Sequence, residues 1–154
     1  MNLTFATPHT IGRPVYTTLL PCRPDSVRRA RQFVSSVLTT WGTGTLVEDL
    51  ELVVSELLTN VIDHTVCAMA QVMIERCPDG VVRIEVADNS YVQPRMQEGD
   101  AAAESGRGLF LVAALSWRWG CVEHDWGKSI WAELKTLGNA TSAASQVPTS
   151  ENVQ

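Results

Sequence analysis

The feature that most constrains this chain is the stretch from about Leu46 to His64. Leu50, Val54, Leu57 and Val61 recur at helical spacing, so one face of a long helix must be buried. Glu56, Asn60 and Asp63 form a polar stripe beside that face. Residues four apart stack along a helix, so Glu56 and Asn60 sit one above the other. A carboxylate beside an amide at the edge of a buried stripe can orient a water or hold a divalent cation.

The rest of the 154-residue chain supplies what that helix can pack against. Val15 to Leu20 reads as a strand stopped by Pro21 and Pro24. Asp25 or Ser26 can cap a helix to about Thr39, with Val27, Ala30, Val34 and Leu38 inward. Ala70 to Glu75 and Val81 to Ala87 read as strands joined by Pro78-Asp79-Gly80, a hairpin signal. Gly106 to Trp117 reads as a third helix with Leu109, Val112 and Ala113 inward. Trp119 to Glu123 and Ser129 to Lys135 read as two closing strands. This order predicts an α/β two-layer sandwich: a mostly antiparallel, mixed sheet with the helices on one face. The expected organisation is a loose arm over 1–14, one domain over 15–137 and a polar, disordered tail over 138–154.

Composition narrows the function classes. The formal charge is −5, which does not favour nucleic acid or an anionic membrane surface. No apolar run approaches the ~18 residues of a membrane span, and the start lacks the pattern of a secretory signal. The cysteines Cys22, Cys67, Cys77 and Cys121 show no zinc spacing, and they read as thiols of a reducing cytoplasm. Arg28, Arg29 and Arg31 read as a solvated face or a contact for an acidic partner. Trp117, Trp119, Trp126 and Trp131 crowd the last third of the domain, as packing residues or as an exposed interface.

Three segments can carry chemistry. Asn60 offers an amide oxygen for Mg²⁺, a cation that keeps waters and takes substrate phosphates as further ligands. Glu56, one turn earlier, can act as a base. Asp88-Asn-Ser90 ends an apolar strand, where a carboxylate can accept from an exocyclic amine; the same residues are also ordinary turn chemistry. Ser105-Gly106-Arg107-Gly108-Leu109 opens the third helix, where glycines and free N–H groups suit a phosphate. Between the last two lies a long polar segment, 89–105, suited to a lid.

Taken in order, these segments resemble the ATP-binding fold of the GHKL superfamily, shared by gyrase, heat-shock chaperones, histidine kinases and MutL (the Bergerat fold). Within it they are most similar to the small bacterial anti-sigma-factor serine/threonine kinases. Glu56-Leu-Leu-Thr-Asn60-Val-Ile-Asp-His64 resembles the branch's Glu-x-x-x-Asn-Ala-x-x-His box. Asp88-Asn-Ser-x-x-x-Pro94 is similar to its Asp-x-(Gly/Ser) box, Gly106-Arg-Gly-Leu109 to its Gly-x-Gly-Leu box, and Gly127-Lys-Ser-Ile-Trp131 to its closing strand.

The resemblance implies ATP and Mg²⁺ as ligands. Glu56 would be the general base and Asn60 the metal ligand, with His64 lining the pocket. Asp88 would bind the adenine amino group, with Ser90 in the same box. Gly106, Arg107 and Gly108 would meet phosphates, Leu109 would pack behind them, and Ser129 would reach adenine through a water. It further implies phosphorylation of a serine or threonine on an anti-anti-sigma (STAS-type) protein, a sigma factor as rival partner, and a cytoplasmic homodimer that touches neither nucleic acid nor membrane. No dimerisation helix with a phosphorylatable histidine precedes the boxes, which points away from a sensor histidine kinase. Ser90 stands where many relatives have glycine, and the 89–105 segment, short for such a lid, has no glycine before Gly99. These departures motivate an alternative, a catalytically silent ATP-responsive module that sequesters its partner. A metal-dependent hydrolase of another fold would need a third acidic or histidine ligand, and the sequence offers no candidate.

Overall fold

A computed structural model describes residues 13–66, 68–88 and 103–136, with the backbone alone given at 103–107. The elements follow the expected order. Strand β1 (Val15–Pro21) leads to helix α1 (Ser26–Trp41), a 3-10 turn (Gly44–Leu46) and helix α2 (Val47–His64). Strands β2 (Met69–Arg76) and β3 (Val81–Asp88) come next. Helix α3 (Ala103–Leu115) and strands β4 (Arg118–His124) and β5 (Gly127–Lys135) complete the described chain.

The strands form one sheet in the order β1-β2-β3-β5-β4. All four pairings are antiparallel, so among the described strands the sheet is not mixed. The reason is local. Both hairpins connect neighbours directly, and the longer connections carry helices α1 to α3 across one face. At the first hairpin, Asp79 and Gly80 have φ of 61° and 71°. Two left-handed central residues are what a type I′ turn needs, and Asp-Gly supplies them at small cost. Gly80 must also lack a side chain, because a Cβ there would strike the Thr136 hydroxyl.

Alternation along each strand divides the sheet into two faces. Val72, Ile74, Ile84, Val86, Ile130, Ala132 and Leu134 point toward the helices and are fully or almost fully buried. Leu50, Val54, Leu57 and Val61 of α2 meet them, as the helical spacing requires, and Val53 and Leu58 widen that stripe. Helix α2 packs between α1 and α3 and against β3 and β5. The central helix thereby lies over the strands that end in Asp88 and begin near Lys128.

Two helix ends differ from expectation. Asp25 precedes α1 but makes no side-chain cap bond; it pairs with Arg23 at 3.7 Å instead, and the Ser26 N–H donates to the Arg23 carbonyl. The other end of α1 closes in a Schellman arrangement, Thr43 N–H to Leu38 O and Gly42 N–H to Thr39 O, with Gly42 at φ 70°. Helix α3 is already formed at Ala103, the first residue described after the loop, rather than opening at Gly106. Ala103 and Glu104 both favour helix.

The other sheet face carries a ladder of cations and rings. Arg83 lies 4.2 Å from the Trp131 ring centroid and Lys135 3.8 Å from that of Trp117. Buried Glu133 accepts hydrogen bonds from Arg83 and Arg118. Trp131 fits against Gly120, where a Cβ would come within 3.1 Å of the ring. The tryptophans thus divide: Trp119 packs against the core, while Trp117 and Trp126 are exposed. Arg28, Arg29 and Arg31 are exposed on α1. No helix among the described residues is long and apolar enough to cross a membrane.

Candidate functional site

Glu56, Asn60 and His64 follow one another at successive turns of α2. The same apolar periodicity that drives α2 onto the sheet carries Asn60 inward. It is only 6% exposed, and its side-chain oxygen Oδ1 is buried with no hydrogen-bond partner among the described residues. His64 Nε2 is also buried without a hydrogen-bond partner among the described residues. Buried acceptors are rarely left unsatisfied, because each costs about 1–3 kcal/mol. Two such polar atoms four residues apart on one helix mark a place that a ligand can complete. Asp63, expected in the same polar stripe, is exposed and stands apart.

Helix α3 closes this site from the side. Leu109 and Val112 are buried. That packing brings Gly108 against Glu56: a Cβ on Gly108 would lie 2.5 Å from Glu56 Oε2. A side chain at residue 108 would therefore push the Glu56 carboxylate aside. Gly106, Arg107, Gly108 and Leu109 all fall inside α3, which is already helical at Ala103. The first four N–H groups of a helix lack internal acceptors. Of the expected phosphate contacts, Arg107 and Gly108 lie beyond any such first turn.

At the sheet, Asp88 is the last residue of β3, buried at 3% exposure, on the helix-facing side. Ser90 and the rest of its box lie outside the described residues, as do the loop beyond it and Cys67. Ser129 pairs across the strands with Ala87, so its side chain projects to the opposite face from Asp88. There it is buried, with Oγ 3.0 Å from His124 Nε2. A water bridge from Ser129 to a base held by Asp88 would have to pass through the sheet.

The residue that does share the face with Asp88 is Lys128, its direct cross-strand partner, and Glu123 continues the row on β4. Lys128 is 3% exposed and its Nζ is buried without a hydrogen-bond partner among the described residues. The sequence carried a signal for it. Ile130, Ala132 and Leu134 alternate inward, and the same parity extended back by two reaches Lys128. Close by, burial pushes the Cys121 thiol up from its ordinary value of 9.0, with the Lys128 charge acting in the opposite direction.

Among the described residues, no three His, Cys, Asp or Glu side chains gather as a metal cluster. The unsatisfied oxygen of Asn60 nevertheless fits one position of a Mg²⁺ ion whose other ligands are waters and substrate oxygens.

Over residues 20–147 the chain matches the model of the histidine kinase-like ATPase domain. With that match, on a five-stranded antiparallel sheet backed by helices, the chain belongs to this family and so to the GHKL superfamily. A comparison with curated proteins gave no match.

Proposed function

We propose that this domain binds ATP with Mg²⁺ and phosphorylates a serine or threonine of an anti-anti-sigma (STAS-type) partner, and that it holds a sigma factor as the rival partner. The observation that carries the reading is the meeting of Glu56 with Gly108, one helical turn from the unsatisfied oxygen of Asn60. It joins a base, a cation ligand and the helix that contains the phosphate box.

In this reading Asp88 accepts a hydrogen bond from the purine 6-amino group and sets the depth of the nucleotide. Asn60 Oδ1 would hold Mg²⁺, which neutralises phosphate charge when bound. Glu56 accepts the proton of the incoming hydroxyl as its oxygen attacks the γ-phosphorus; the bond to the β–γ bridging oxygen breaks and ADP leaves. His64 lines the same wall. A cytoplasmic homodimer is the expected working form.

A second reading is an ATP-responsive module without transfer. One observation favours it: with α3 wound from Ala103, the Gly108 N–H lies beyond the free first turn. Labelled-ATP transfer to a STAS-type acceptor separates the two. The kinase reading expects transfer that falls by about 10²–10⁴ in Glu56→Ala while ATP binding persists. Transfer unchanged in Glu56→Ala contradicts the base assignment, and binding with no transfer by the unaltered protein supports the silent module.

A further inference from the structure

We propose that Lys128 is a second reader of the nucleotide base, its ammonium donating a hydrogen bond to ring nitrogen N1 of adenine while Asp88 accepts from the neighbouring 6-amino group. The inference rests on the ATP reading above and adds a residue that fixes which purine is taken.

Placement comes first. Asp88 and Lys128 stand opposite each other on β3 and β5 with unbroken register along both strands. Ile130, Ala132 and Leu134 fix the parity of β5, so Lys128 projects to the helix-covered side, as Asp88 does. Directly opposed residues on antiparallel strands have Cβ atoms about 4.5–5.5 Å apart. The two side chains therefore present a carboxylate and an ammonium to the same space at one end of the sheet. Ser129, one residue on, faces the other way.

The state of the lysine comes second. Lysine is almost never fully buried unless paired. Lys128 is 3% exposed with its Nζ buried and no hydrogen-bond partner among the described residues. An ammonium removed from water in this way is costly until acceptors surround it. Packing alone does not account for it, since a methionine or leucine would fill the volume without that cost. The proximity of its charge is felt by Cys121, two residues before Glu123 on β4.

The chemistry of the base comes third. Adenine presents, side by side, the N–H donors of its amino group and the lone pair of N1. A carboxylate can satisfy only the first. An adjacent donor satisfies the second, and together they read the edge as donor followed by acceptor. A carboxylate alone accepts from any purine amine and leaves N1 unread.

The experiment compares ATP with 1-deaza-ATP, in which N1 is replaced by C–H, on the full chain and on Lys128→Met, by equilibrium titration. The full chain is expected to bind the deaza analogue roughly ten- to a hundredfold more weakly than ATP, the effect of losing one hydrogen bond from a charged donor. Lys128→Met is expected to bind both nucleotides alike, near the weaker value, with a melting temperature no lower than that of the parent. Equal binding of the two nucleotides by the full chain overturns the proposal and leaves the ATP reading standing. So does discrimination that survives in Lys128→Met. Preference of the full chain for GTP overturns the N1 assignment, because the ammonium would then face O6. Absence of any ATP binding removes the ATP reading and this proposal with it.

Discussion

Glu56 and Gly108 touch across two helices: the carboxylate lies where a side chain on residue 108 would have to begin, 2.5 Å from an ideal Cβ. The contact ties the asparagine box to the phosphate box through one hydrogen atom. It also separates two properties that usually change together.

Gly108→Ala is expected to leave the fold intact or to raise its stability by up to about 1 kcal/mol, because alanine is the better helix former. The clash is with the far end of a flexible side chain, so Glu56 can turn away. That turn displaces the proposed base, and misplacement of about 1 Å can cost 10²-fold in rate. Thermal melting beside a phosphoryl-transfer assay checks both halves. Normal transfer by Gly108→Ala contradicts the role given to Glu56.

Asn60 gives a second separation. Its buried oxygen has no hydrogen-bond partner among the described residues, so Asn60→Leu, γ-branched like the original, removes an unsatisfied acceptor. Urea unfolding is expected to show unchanged or slightly higher stability, within about 1–3 kcal/mol. ATP binding by the variant is expected to lose its dependence on Mg²⁺. A large loss of stability would instead mean that Asn60 is a structural residue.

Much of this was legible in the chain. Periodicity at Leu50, Val54, Leu57 and Val61 placed the central helix, and Asp79-Gly80 placed the first hairpin, because both depend on local geometry. Glycines at 106 and 108 suggest a loop, yet the chain is already helical at Ala103 and Glu104. Likeness to a motif points Ser129 at adenine, and only the register with Ala87 reveals that it faces away from Asp88. Lys128 is hidden for the same reason: a buried cation becomes visible when parity on β5 is joined to pairing with β3. The closeness of Gly108 to Glu56 depends on how α3 packs on α2, which no local pattern encodes.

Cys121 offers a pH-dependent probe of the same corner. Burial raises its thiol above 9.0, and the Lys128 charge opposes that rise. A group whose pKa is higher folded than unfolded contributes stability below the unfolded value, and that contribution is lost as pH climbs through the folded one. Stability is therefore expected to decline in alkaline solution, less so in Cys121→Ala. Alkylation of Cys121 followed against pH is expected to show a midpoint above 9.0, moving higher still in Lys128→Met. A midpoint that moves down in that variant contradicts the placement of Lys128 beside this thiol.

The central claim is that Asp88 and Asn60 belong to one purine-triphosphate site, and an equilibrium titration with ATP tests it most directly. The account predicts micromolar or tighter binding, weakened by roughly tenfold or more when Mg²⁺ is withheld and again in Asp88→Ala, each the scale of one strong polar contact. Binding that ignores both the cation and the Asp88 carboxylate would contradict it.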